Sequence, residues 1–143
     1  MLVFDVNVLV AAFRADHPHH AQVRPWLTST LADGTPFHVP DLVWVGFVRI
    51  TTNRRIFAVP AALQEAFDFV AALRAQAGYR AVGFDPELMS AWERACVDGQ
   101  AGGDLVPDAY IAAVAQRISG IVITRDRDFQ RFDGLRTVDP ANG

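Results

Sequence analysis

Residues 1–9 read Met1-Leu2-Val3-Phe4-Asp5-Val6-Asn7-Val8-Leu9, an apolar run with an acid set into it. An apolar run without polar alternation suits a strand buried on both faces, and Asp5 then stands at its C-terminal end. The pattern returns at Ile121-Val122-Ile123-Thr124-Arg125-Asp126, where a second apolar run leads to Asp126. Working outward, Asn7 to Ala15 carries Val8, Leu9, Ala11 and Ala12 at helical spacing, and His17 to Leu31 reads as a second helical piece. Phe37-His38-Val39 reads as a short strand stopped by Pro40, and Asp41 as the cap of a helix to about Asn53. Pro60 opens a helix with Leu63, Ala66, Phe67, Val70 and Leu73 as its core stripe. A brief strand is predicted over Ala81-Val82-Gly83-Phe84, and Asp85-Pro86-Glu87 starts a helix to about Val97. An Ala-rich helix over Asp104–Ser119, a helical turn over Asp126–Arg131 and a strand over Leu135–Val138 complete the chain. Strands alternating with helices predict an α/β fold in layers, a mostly parallel central sheet flanked by helices, and one domain over residues 1–143. Sites in such sheets form at the carboxyl ends of strands, where Asp5 and Asp126 sit.

Composition narrows the chemistry. The 143 residues carry a formal charge of −3, and all 13 basic residues are Arg. Without Lys, P-loop phosphoryl transfer and Schiff-base catalysis are excluded. The single cysteine, Cys96, excludes an intrachain disulfide framework and a Cys-based zinc cage. No apolar run approaches the roughly 20 residues of a membrane span. The run Leu2–Phe13 contains Asp5 and lacks a basic leader, so it does not read as a secretory signal, and a reducing cytoplasm is the expected location. Mild acidity argues against electrostatic bulk binding of nucleic acid, but not against a metal-assisted nuclease.

The acids carry the strongest signal. On a continuous helix Asp104 and Asp108 lie about 40° apart, on the side shared by Ile111, Ala115 and Ile118. Two carboxylates facing a core repel unless protonated, capped or bridged by a cation. Asp104 also suits an N-cap, whereas Asp108 lies deeper and suits one less. Asp5 and Asp126 each suit a cap as well, and Asp128 reads as the more exposed of its pair. Four acids able to converge at one sheet edge suit Mg²⁺ or Mn²⁺, which take oxygen ligands and share them with phosphate. Such an ion activates water and stabilises the leaving oxygen of a phosphodiester. Arg49, Arg54 and Arg55 cluster at a helix end and Arg125, Arg127 and Arg131 near Asp126; these forks suit RNA phosphates as well as ordinary surface pairing. His17, His19 and His20 read as surface or cap residues, and some of the aromatic residues suit a groove for an amphipathic partner segment.

Four ordered pieces resemble the PIN-domain family, and within it the VapC-type toxins of toxin–antitoxin pairs. They are Leu2-Val-Phe-Asp5-Val-Asn7-Val-Leu, Trp44-Val-Gly-Phe-Val-Arg49-Ile-Thr-Thr-Asn53, Gly103-Asp104-Leu-Val-Pro-Asp108-Ala-Tyr-Ile-Ala-Ala and Ile123-Thr124-Arg-Asp126-Arg-Asp-Phe129. The resemblance implies a three-layer PIN-like fold, Mg²⁺-dependent endoribonuclease activity with Mn²⁺ as substitute, and a homodimer. It also implies neutralisation by a cognate VapB-type antitoxin, in a higher assembly. Asp5, Asp108 and Asp126 match the family's acidic site, and Asp104 matches an acid of many members. Asn7 and Thr124 match polar neighbours that orient the acids or water. One departure stands out: the family carries a Glu near residue 44, whereas this chain has Trp44-Val45-Gly46 and no acid between Asp41 and Glu65. Asp41, Asp104 or nothing replaces it, and the resemblance then implies one weakly held ion. Two other readings compete. A degenerate PIN domain binds RNA or antitoxin without cutting. A haloacid-dehalogenase-like phosphatase needs a second acid two residues after Asp5 and a Lys, and this chain offers Asn7 and none.

Overall fold

Strand β1 (Leu2–Phe4) lies at the centre of the sheet, with Val3 and Phe4 fully buried. The computed structural model describes residues 1–83 and 85–142. β1 pairs in parallel with β2 (Phe37–His38) on one side and with β3 (Ile121–Ile123) on the other. β4 (Arg136–Val138) extends the sheet beyond β3, giving the all-parallel order β2-β1-β3-β4. The register sets Phe4 opposite Ile123, so Asp5 and Thr124, the next residues of each strand, emerge side by side. The α/β expectation therefore holds, and the sheet is parallel throughout.

Among the described residues six α-helices flank this sheet. They are α1 (Val6–Phe13), α2 (His20–Ala32), α3 (Asp41–Thr51), α4 (Leu63–Arg74), α5 (Pro86–Asp98) and α6 (Val106–Arg117). α1 packs on α2 and α3, α3 on α4, and α5 on α6. Apolar burial drives these contacts: Val8, Leu9, Val23, Phe47, Ile111 and Phe129 are almost wholly removed from water. Phe4 stacks on Phe37 with ring centres 5.1 Å apart and meets Trp26 edge-on at 6.2 Å, tying α2 to the sheet. Among the described residues no helix is long and apolar enough to cross a membrane.

Four local expectations need correcting. Pro40, not Asp41, is the cap residue of α3, and Asp41 is its first helical residue. Residues 81–83 carry no regular structure, and Phe84 lies outside the described residues. The pairing forms earlier: Tyr79 bridges Phe37 in parallel, with Phe37 N–H donating to Gly78 O at 2.9 Å and Arg80 N–H to Phe37 O at 2.8 Å. Gly78 permits this approach, since a Cβ there would collide with the Thr35 carbonyl. On α4 only part of the expected stripe is buried. Ala66, Val70 and Leu73 face the core, while Leu63 and Phe67 are 62% and 54% exposed. Those two lie about 60–100° around the wheel from Ala66, beyond the arc that packs. Phe69 lies on the other shoulder and is covered instead, stacked on Phe47 at 5.1 Å. The fourth correction is at the start of the Ala-rich helix. Residues Gly103–Leu105 form a 3-10 turn and α6 begins only at Val106.

Candidate functional site

Asp5 is the residue where β1 turns into α1. Its backbone is extended, and its Oδ1 accepts the Val6 N–H at 2.7 Å, capping the helix. Its Oδ2 accepts from the Thr124 hydroxyl at 2.7 Å and from the Asn7 amide at 2.9 Å. Asn7 also donates to Thr124 Oγ1 at 3.2 Å, and its Oδ1 accepts the Arg125 N–H at 3.1 Å. Thr124 Oγ1 in turn accepts the Asp126 N–H at 3.0 Å. This network sews the end of β1 to the end of β3. It also makes the cap and site readings of Asp5 compatible: the carboxylate does both. Burial pushes the Asp5 carboxyl above its ordinary range; the Thr124 and Val6 hydrogen bonds oppose this, Asp126 adds to it, and the Asn7 hydrogen bond opposes it in turn.

Asp108 approaches from the first turn of α6, where Pro107 suits the helix start. It is half-buried, and among the described residues no hydrogen bond reaches its carboxylate. Its pKa is pushed up to about 7, first by burial and then by the charges of Asp5, Asp126 and Asp128, with Arg131 pulling weakly the other way. Arg131 is itself turned to the Gly99 and Gln100 carbonyls, at 3.2 and 3.4 Å. Asp126 caps the 3-10 turn Arg127–Arg131 by accepting the Asp128 N–H at 2.8 Å. One carboxylate oxygen each from Asp108, Asp126 and Asp128 lie within 4.8 Å of one another.

Asp128 is the residue that sequence reasoning set aside as an exposed acid. It is exposed, yet the tight turn capped by Asp126 bends it back into the cluster. The available signal was the Asp126-Arg127-Asp128 spacing at a strand end. Asp104 goes the other way. It sits exposed on the 3-10 turn, not on α6, so its wheel relation to Asp108 does not apply, and it is not among the converging oxygens.

A cleft of about 450 Å³ opens between α3, α5 and α6 with Asp5 and Asp108 on its wall. α3 contributes Leu42, Val45, Gly46 and Arg49 to it, so the helix that departs from the family pattern offers an apolar and cationic face and no carboxylate. Trp44 does not line this cleft; its ring lies 6.5 Å from that of Tyr79. Asp41 is exposed at the start of α3 and does not line the cleft either. Arg49 is thus brought to the acids. Arg54 and Arg55 are exposed beyond the end of α3 and do not line the cleft. Arg125 lies half-buried beside Asp126 and lines a separate pocket. The histidines serve local structure: the His20 ring bonds to Ala11 O at 2.9 Å, and His17 Nδ1 accepts the His19 N–H at 3.1 Å.

The donor set suits a hard divalent cation. It consists of oxygens only, carries excess negative charge, and includes a carboxylate that accepts no hydrogen bond among the described residues.

Comparison with known proteins agrees with this geometry. The PIN domain family model matches residues 2–135. Ribonuclease VapC25 of Mycobacterium tuberculosis is 45% identical over 140 residues, covering 98% of this chain and 99% of its own. Ribonuclease VapC43 of the same organism is 38% identical over 143 residues, covering 100% and 97%. In fold, the chain resembles the FitAcB structure from Neisseria gonorrhoeae with a TM-score of 0.67 at 21% identity, covering 98% of each chain. It also resembles VapBC2 from Rickettsia felis, solved with a DNA fragment from its promoter, with a TM-score of 0.67 at 13% identity and 96% of each chain covered. The chain belongs to the PIN-domain family and, within it, to the VapC group.

Proposed function

We propose that residues 1–143 form one domain acting as a Mg²⁺- or Mn²⁺-dependent endoribonuclease, the cytoplasmic toxin of a toxin–antitoxin pair. The observation that carries this reading is the convergence of Asp108, Asp126 and Asp128 beside buried Asp5, with Asp108 raised to about 7 and accepting no hydrogen bond among the described residues. Asp5, Asp108 and Asp126 hold the ion, with Asp128 as a fourth carboxylate in place of the family's Glu. A bound divalent ion lowers the pKa of water and offsets charge on a phosphodiester. The protein's part is orientation. Asn7 and Thr124 fix Oδ2 of Asp5 and the Val6 N–H fixes Oδ1, so that acid does not turn when the ligand changes. Asp108, free of such bonds, turns to the ligand at no loss of a hydrogen bond. Arg49 presents a guanidinium to a phosphate in the same cleft. Arg54 and Arg55 meet RNA outside it. With no carboxylate from α3, one ion is held, and weakly.

The VapC relatives are named as ribonucleases, and the VapBC2 neighbour is a complex solved with promoter DNA. On that basis this chain pairs with a VapB-type antitoxin and enters a higher assembly with it, and the homodimer follows from the family resemblance alone. The test is incubation with total RNA and Mg²⁺ or Mn²⁺, with and without chelator, beside Asp5→Ala and Asp108→Ala. Discrete cuts by the wild type alone, abolished by chelator, support the reading. A folded, antitoxin-free protein that binds RNA without cutting it supports the second reading, a binding-only PIN domain, which the carboxylate-free face of α3 favours.

A further inference from the structure

A second pocket, of about 190 Å³, lies between the end of β3, the turn after it and β4; Arg125, Asp126, Arg127, Thr137, Asp139 and Asn142 help line it. It shares Asp126 with the acid cluster, while the large cleft shares Asp5 and Asp108. The two pockets therefore flank the acids. The polar pocket holds an anomaly. The Arg125 side chain is 22% exposed, and its Nε is shielded from water with no hydrogen-bond partner. The nearest carboxylate oxygen, on Asp139, is 4.0 Å away, too far for a hydrogen bond. Other arginines are satisfied: half-buried Arg14 grips Asp16 through two bonds of 2.8 and 2.6 Å, and exposed Arg117 reaches Asp85 and Glu87 at 3.0 and 3.1 Å. Asp139 does not grip Arg125 because it is occupied in its own turn, accepting the Ala141 N–H at 2.9 Å and the Asn142 amide at 2.8 Å. It neutralises the arginine without bonding it.

A guanidinium nitrogen shielded from water and left unbonded is costly, and the planar fork it belongs to matches two phosphate oxygens. Any RNA strand lying across the acids leaves them on both sides, past Arg49 in the cleft on one side and past Arg125 in this pocket on the other. We propose that this pocket binds a phosphodiester neighbouring the one at the acids, through Arg125 with support from Arg127. Asp139 is the internal counter-charge that the phosphate displaces. This rests on the ribonuclease reading and adds to it a subsite that fixes which bond of the strand meets the acids.

The test is binding of a short 2′-O-methylated oligoribonucleotide, with Ca²⁺ in place of Mg²⁺, followed by fluorescence anisotropy over a range of salt. Arg125→Gln weakens binding about tenfold and lowers the salt slope by about 0.7, the value for one phosphate contact on a single strand. Arg125→Lys keeps the slope but loses part of the affinity, because the charge remains and the fork does not. Asp139→Asn keeps the turn's acceptor and tightens binding severalfold, a change that misfolding cannot produce. Arg125→Gln with wild-type affinity and slope, or Asp139→Asn that weakens binding, overturns the subsite alone. A wild type that binds no RNA at any salt overturns the ribonuclease reading, and the subsite with it.

Discussion

Asp5 and Asp108 line the same cleft and are held in opposite ways. Asp5 accepts three hydrogen bonds, from Val6, Asn7 and Thr124, and is 4% exposed. Asp108 accepts none among the described residues, and three acids crowd it. The first is held by the fold, which uses it to cap α1 and to join β1 to β3. The second weakens the fold: its ionised form is penalised by burial and by like charge. A carboxylate that caps a helix and joins two strands can be there for structure alone. One that accepts no hydrogen bond among the described residues and is crowded by like charge points to a ligand, and so Asp108 carries more of the functional argument than Asp5.

Activity should not separate the two, whereas stability should. Asp5→Ala and Asp108→Ala are each expected to lower RNA cleavage by about 10²–10³-fold or more, the range for losing one preorganised charge contact. This is read from initial rates under saturating Mg²⁺. Denaturant unfolding of the metal-free proteins then splits the pair. Asp5→Ala loses a cap and leaves the Thr124 hydroxyl and the Asn7 amide short of an acceptor, so it should be about 2–3 kcal/mol less stable. Asp108→Asn should be as stable as the wild type or more so at neutral pH. A large loss in both variants would erase the distinction.

The pH dependence sharpens the same contrast. Asp108 rises from 3.8 unfolded to about 7 folded. A raised carboxyl contributes stability that is present below pH ~4 and is lost as pH climbs through about 7. The full shift corresponds to roughly 4 kcal/mol, but this acid is half-exposed and solvent screening reduces the expected loss to about 1–2 kcal/mol. Metal-free wild type should therefore lose that much between pH 5 and pH 8, after allowance for the other carboxylates, while Asp108→Asn should show a flatter profile. Unfolding curves at the two pH values check it.

The sequence made this comparison possible only in part. Asp5 and Asp126 were legible because buried parallel strands are continuous apolar runs, and the register of such runs places the next residues side by side. The Asp104–Asp108 pairing failed because it assumed one unbroken helix. Asp104 is carried on a separate 3-10 turn, where the residue repeat is tighter. Asp128 escaped because exposure by spacing says nothing of a turn that folds an acid back. On α4 the expected stripe held at Ala66, Val70 and Leu73 and its arc was displaced, since Phe69 is covered by Phe47 and Phe13 while Leu63 and Phe67 face out. That asymmetry depends on which neighbours arrive, and pattern alone does not record it.

The smallest effect belongs to Asp128. Being exposed at the edge of the cluster, it should add least to ion binding. Asp128→Asn is expected to weaken Mn²⁺ binding about three- to tenfold, less than Asp108→Asn, with unchanged metal-free stability. An isothermal titration of the two variants ranks them. Equal losses would make the exposed acid as important as the half-buried one and would undo the ordering drawn from burial.

The most direct measurement is Mn²⁺ binding at pH 7.5, followed by the loss of the free-ion electron paramagnetic resonance signal, for wild type and Asp108→Asn. The account predicts about one weakly held ion per chain in the wild type and little binding in the variant, whose metal-free fold remains intact. Equal binding by both proteins, or none by a folded wild type, would contradict it.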